Sequence, residues 1–96
     1  KPNFAHFSAA KGGLRNMVQS LAREYGPQGV HVAHVIIDGV VSGDRIKTLA
    51  NEYLDKLGED GALAPAAIAE TFWSIHTQPR SAWTHEIDLR PFKEVW

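Results

Sequence analysis

The sequence contains no cysteine among its 96 residues. This absence excludes disulfide bonds and zinc sites built on thiolates within these residues. A chain without disulfides is typical of reducing compartments, so we expect a cytoplasmic protein.

An excess of positive charge is also missing. Ten Lys and Arg residues face eleven Asp and Glu residues, which gives a formal net charge of −1 and a pI near 6.6. Nucleic-acid binding depends on neutralising backbone phosphates with cationic side chains. We therefore expect no nucleic-acid partner.

Long apolar segments are absent as well. No apolar run approaches the roughly 20 residues that a membrane-spanning helix requires. The first residues also lack the basic segment and apolar stretch of a secretory signal. We expect no membrane partner. Because the first residue is Lys1 rather than Met and a helical pattern follows almost directly, we expect the chain to be part of a longer protein.

The first part of the sequence predicts an amphipathic helix over residues 4–25. Asn3 is a candidate N-cap, and Gly26 with Pro27 is a typical helix end. The apolar positions recur at helical spacing, and they are Phe4, Phe7, Leu14, Val18, Leu21 and Tyr25. A patch of small residues at 9–13 favours close approach by the backbone of another element.

The rest of the sequence predicts an α/β order. Residues 30–37 are rich in β-branched side chains and predict a buried parallel strand that ends at Asp38. A helix over 44–57, capped by Asp44 and ending at Gly58, and a helix from Pro65 to near residue 78 should follow. Residues 81–89 predict a second strand. The long return between the strands favours parallel neighbours joined by a right-handed crossover.

Residues 7–14 read FSAAKGGL. This stretch resembles the active-site helix of the short-chain dehydrogenase/reductase family, in which a tyrosine precedes a lysine by four residues. Phe7 stands at the tyrosine position and Lys11 at the lysine position. The resemblance continues through residues 21–39 and 64–75, and it covers essentially the whole chain as the carboxy-terminal part of a family member.

The resemblance implies a fold and an activity. The fold is the carboxy-terminal portion of a Rossmann-like, doubly wound parallel sheet, with residues 1–96 forming the carboxy-terminal segment of a single domain. The amino-terminal half, with the glycine-rich turn that binds the dinucleotide, is expected upstream of Lys1. The implied activity is hydride transfer between NAD or NADP and a small-molecule carbonyl or alcohol substrate.

The resemblance also implies which residues form the site. Lys11 is expected to bind the ribose hydroxyls of the nicotinamide cofactor. In the family, the lysine also lowers the pKa of the tyrosine, which then transfers a proton. Phe7 has no proton to transfer. His6 is the first candidate substitute, although adjacent helical residues point about 100° apart, and a residue upstream of the chain is the alternative.

Residues 38–43, DGVVSG, correspond to the family's loop that lends backbone groups to the nicotinamide carboxamide. Gly39 and Val41 match the family pattern, so the resemblance implies that they bind the cofactor. Asp38 replaces the usual proline and Gly43 the usual threonine, while Ser42 offers a hydroxyl beside it. A simple turn at the end of a strand is the alternative interpretation.

The five histidines do not predict a metal site. His31 and His34 are three apart on a predicted strand and should point to opposite faces. The remaining three, His6, His76 and His85, lie on separate predicted elements without ligand spacing. We expect packing or surface roles for them.

The resemblance implies a homo-oligomer, either a dimer or a tetramer. The small residues at 9–13 would serve one contact between copies, and the late helix with the aromatic tail would serve another. The aromatic residues assigned to core or interface are Phe72, Trp73, Trp83, Phe92 and Trp96. Residues 42–63 correspond to the family's variable substrate lid, and their composition does not select a substrate.

Two other interpretations of the sequence remain open. The protein could be a catalytically silent family member that acts as a ligand-binding or oligomeric scaffold, because Phe7 removes the proton donor. The chain could also be an unrelated small α/β domain.

Overall fold

The computed structural model describes residues 2–95, so Lys1 and the interface candidate Trp96 lie outside the described residues. These residues form four α-helices, two β-strands and a short 3₁₀-helix at Gly26–Gln28. In chain order, the helices and strands are α1 (Ala5–Tyr25), β1 (His34–Ile37), α2 (Asp44–Leu49), α3 (Asn51–Leu57), α4 (Pro65–His76) and β2 (Glu86–Leu89). The order is α/β, as the sequence predicts.

The two strands pair in parallel, which confirms the predicted pairing. His34 lies opposite Glu86, and the register continues to Ile37 opposite Leu89. Both strands are shorter than predicted, with four residues each. Residues 30–33 lie outside the ladder, so β-branched composition alone overestimates the length of the strand.

The ends of α1 differ from the prediction. Asn3 has a φ of 66° and does not cap the helix. The N-cap residue is Phe4, whose carbonyl accepts a hydrogen bond from the Ser8 N–H at 2.8 Å. At the other end, Gly26 keeps a helical φ of −53° and opens the 3₁₀-helix, and the left-handed turn falls on Gly29 with a φ of 86°.

The single helix predicted over residues 44–57 is wrong, because Ala50 interrupts it. Ala50 has φ −149° and ψ 45°, outside the helical region. Its N–H still donates to the Ile46 carbonyl, and its carbonyl accepts from the Tyr53 N–H, so it closes α2 and opens α3. The predicted cap at Asp44 is also wrong. Gly43 is the N-cap, and it makes no side-chain cap bond.

The predicted third helix is confirmed as α4. Its first residue is Pro65, where a missing N–H costs no hydrogen bond. It ends at His76, and the Thr77 hydroxyl then donates to the Trp73 carbonyl at 3.0 Å.

Little of the apolar surface of the described residues is buried. Ile75 is the large apolar side chain with the lowest exposure, at 8%. β1 is half-buried rather than covered on both faces, and Ile37 is 39% exposed. The sheet therefore lacks the two-sided cover that the sequence predicts for it. No helix within residues 2–95 is both long and apolar enough to cross a membrane.

A pair of hydrogen bonds fastens the turn between α4 and β2. The Gln78 amide donates to the Thr84 hydroxyl at 2.7 Å and accepts from the Thr84 N–H at 2.7 Å. We predict that Gln78→Ala lowers the free energy of unfolding by about 1–3 kcal/mol, because two part-buried groups lose their partner.

Chemical denaturation of Gln78→Ala measures this loss. The matched control is Gln28→Ala, which removes one exposed bond of 3.4 Å to the Glu24 carbonyl and should change stability by less than about 0.5 kcal/mol. Equal effects of the two substitutions would contradict the prediction.

Candidate functional site

The first half of α1 and the strand β1 enclose a groove of about 420 Å³. The helix supplies residues at helical spacing, the strand supplies all four of its residues, and Asp38 follows the strand. The groove-lining residues of α1 are Phe7, Lys11, Gly12, Leu14 and Arg15. A predicted site residue, Lys11, therefore lies in a concave surface together with Phe7, the residue that the sequence resemblance aligns with the tyrosine.

Phe7 and Lys11 lie on the same side of α1, as their spacing predicts. The Lys11 Nζ is 5.5 Å from the centre of the Phe7 ring, which is within the range of a cation–π interaction. The Phe7 ring is 53% exposed and meets the Phe4 ring edge-on, with ring centres 6.4 Å apart. The cation is thus placed beside a ring that has no hydroxyl.

The groove contains a histidine that is not the predicted substitute. His6 is exposed and does not line the groove. His34 does line it, and its Nδ1 is buried without a hydrogen-bond partner among the described residues. The sequence places His34 inside the predicted strand over residues 30–37, and no local signal marks its nearness to α1.

Ion pairs lie at both ends of β1. Near its first residue, Arg15 of α1 binds Glu86 of β2, with Nε 2.9 Å from Oε1. Just past its last residue, Asp38 Oδ2 is 3.2 Å from Nη2 of Arg90. Asp38 is also a lining residue of the groove. The contribution of Arg90 is missed by sequence reasoning, because its partner is distant in the chain.

Gly39 follows the groove directly and has a backbone that other residues rarely adopt. Its φ is 151°, and a Cβ at this position would lie 2.7 Å from Cδ of Pro91. Both facts require glycine here. The loop therefore leaves β1 in close contact with the segment that follows β2.

Val41 is placed away from Lys11. It forms an isolated parallel bridge with Leu63 and lines a separate depression beside Ile46 of α2. The Ser42 N–H and hydroxyl both donate to the Leu63 carbonyl, at 2.8 and 3.2 Å. The structure thus groups Phe7 and Lys11 in the groove and leaves Val41 outside it.

The remaining histidines do not form a metal centre within residues 2–95. His31 precedes β1 instead of lying in it, so the strand geometry predicted for the pair with His34 is wrong. The His31 ring stacks on Trp83 with centres 4.6 Å apart, and its Nε2–H donates to the Thr84 carbonyl at 2.7 Å. This histidine packs two loops together.

One solved structure resembles the chain closely. It is a short-chain dehydrogenase from Rhodopseudomonas palustris, with 38% sequence identity and a TM-score of 0.63. The similarity covers 93% of this chain and 31% of that protein, so the chain spans about a third of its length. This likeness supports the short-chain dehydrogenase/reductase family. No protein-family model matches the sequence.

The similarity also identifies the fold. The small parallel sheet with its surrounding helices matches a carboxy-terminal fragment of a Rossmann-like short-chain dehydrogenase, as the resemblance implies. A match at this identity over nearly the whole chain argues against an unrelated small α/β domain.

Gly39→Ala should lower the free energy of unfolding by about 2–4 kcal/mol, because the new Cβ is strained at its φ and overlaps Pro91. Thermal or chemical denaturation checks the prediction. Gly43→Ala is the matched control in the same loop. Its φ is −79° with open space around the new Cβ, so the loss should not exceed about 1 kcal/mol, the cost of replacing a glycine N-cap by alanine. Comparable losses of stability in both variants would contradict the specific requirement for glycine at position 39.

Proposed function

We propose that the chain is the carboxy-terminal segment of a single short-chain dehydrogenase/reductase domain in a longer protein, which binds NAD or NADP and transfers hydride to or from a carbonyl or alcohol. The observation that carries the proposal is the Lys11 ammonium in a groove beside the carboxyl end of β1, with Phe7 one turn before it. The similarity to a short-chain dehydrogenase supports the same activity.

Lys11 fits the ribose of a nicotinamide cofactor. Within residues 2–95, its ammonium makes no ion pair with a carboxylate, so its N–H donors can bind sugar hydroxyls. Gly39 follows the groove directly, and its backbone groups are the ones the proposal assigns to the nicotinamide half. The bound cofactor would supply the hydride, while the chain binds and orients the nicotinamide half.

The proton required by a carbonyl reduction has no donor at position 7. Loss of a general acid typically lowers the rate about 10²- to 10⁴-fold. His6 stands outside the groove and His34 lines it, so His34 is the better placed of the two. A donor from the rest of the protein is the alternative.

The second candidate function is a catalytically silent scaffold. The specific observation in its favour is Phe7, whose ring keeps the position beside Lys11 while lacking the hydroxyl. Exposed apolar side chains on α1 and α4, such as Met17 and Trp73, support a homo-oligomer under either function.

Lys11→Met should raise the Kd for the reduced dinucleotide by about tenfold or more, because charge-assisted hydrogen bonds to the ribose are lost. Fluorescence titration of the full-length protein measures the Kd. Lys56→Met, an exposed substitution on α3, is the matched control and should bind as the parent does. Unchanged binding in Lys11→Met would exclude the ribose role.

Phe7→Tyr distinguishes the enzyme from the scaffold. Adding the hydroxyl beside Lys11 should raise the rate of dinucleotide oxidation with small aldehydes and ketones by about 10²- to 10⁴-fold. Phe4→Tyr, whose ring lies next to Phe7 but outside the groove, is the control. Turnover by the natural protein would show that another group donates the proton, and turnover only by Phe7→Tyr would favour the scaffold. No gain in Phe7→Tyr would contradict the position assigned to the ring.

A further inference from the structure

One ion pair connects the end of β1 with the end of β2. Asp38 Oδ2 lies 3.2 Å from Arg90 Nη2, and the Arg90 side chain is only 12% exposed, against 46% for Asp38. A guanidinium that is largely removed from water is screened less than one on an open surface. The pair therefore restrains Asp38 more firmly than a fully exposed pair would.

Backbone contacts join the same two segments. The Asp38 N–H donates to the Leu89 carbonyl at 2.9 Å, and Gly39 packs against Pro91 so closely that a Cβ would overlap it. The Arg90 guanidinium also donates to the Val95 carbonyl at 3.4 Å. Arg90 thus joins the end of β1 to the residues that follow β2.

Asp38 lies between the groove and the loop that follows β1. It lines the groove that contains Lys11, and it immediately precedes Gly39, where the loop at residues 39–43 begins. A restraint on Asp38 therefore fixes where this loop starts relative to the groove.

We propose that the Asp38–Arg90 ion pair is a positioning device, which holds the loop at residues 39–43 against the nicotinamide half of the cofactor. The inference rests on the proposed function. The family pattern has proline at position 38, and a proline ring restricts φ without any partner. Asp38 achieves the restraint through Arg90, and it keeps an N–H that donates to Leu89, which proline lacks.

The positioning role makes a prediction that a purely structural role does not. The loop would contact the nicotinamide half of the dinucleotide. ADP-ribose lacks the nicotinamide ring, so its binding would not depend on the position of the loop. Misplacing the loop should therefore weaken the dinucleotide and spare ADP-ribose. General loss of structure would weaken both ligands together.

The experiment measures the Kd values of the reduced dinucleotide and of ADP-ribose, or its 2′-phosphate if NADP is preferred, in the full-length protein. Asp38→Asn should raise the Kd for the dinucleotide by about tenfold and change that for ADP-ribose by less than about twofold. Glu86→Gln is the matched control, because it breaks the Arg15–Glu86 pair at the opposite end of β1. It should leave the ratio of the two Kd values unchanged.

Two more variants make the result decisive. Asp38→Glu retains the carboxylate and should keep the ratio near that of the parent. Arg90→Gln removes the other partner of the ion pair and should raise the ratio of the two Kd values as Asp38→Asn does. It also provides the test if Asp38→Asn does not fold. An unchanged ratio in Arg90→Gln, or equal weakening of both ligands, would overturn the inference alone. Binding of neither ligand by the unmodified protein would overturn the proposed function as well.

Discussion

The parallel pairing of β1 with β2 is the constraint on which the site depends. Strands of four residues can pair in register only where both backbones are extended, and here the ladder runs from His34 opposite Glu86 to Ile37 opposite Leu89. One residue further, the same alignment brings Asp38 to Arg90. A slip of one residue would separate that ion pair and turn every side chain of β1 to the other face.

The parts of the fold that depend on local chemistry could be predicted from the sequence. Pro65 marks the first residue of α4. The β-branched run before Asp38 indicates a strand and the point where it ends, which is the end of β1. The long return between the strands predicts parallel pairing. These signals act within a few residues or through chain connectivity, so no knowledge of packing is needed.

The features that the sequence does not reveal depend on distant partners or on packing. Nothing in the composition around Ala50 marks an interruption, because alanine is the best helix former. Arg90 follows the second predicted strand, and nothing near it in the sequence marks Asp38 as its partner. For the candidate site, the spacing of Phe7 and Lys11 predicts their shared side of α1, but not that His34 would line the same groove.

The interruption at Ala50 has a consequence for the segment that the resemblance assigns to the substrate lid. α2 and α3 have six and seven residues, and helices this short are marginal without tertiary support. At Ala50 the helical hydrogen-bond ladder is interrupted, so α2 and α3 do not support each other as one continuous helix. The shape of this segment therefore depends on what it packs against rather than on its own helical hydrogen bonds.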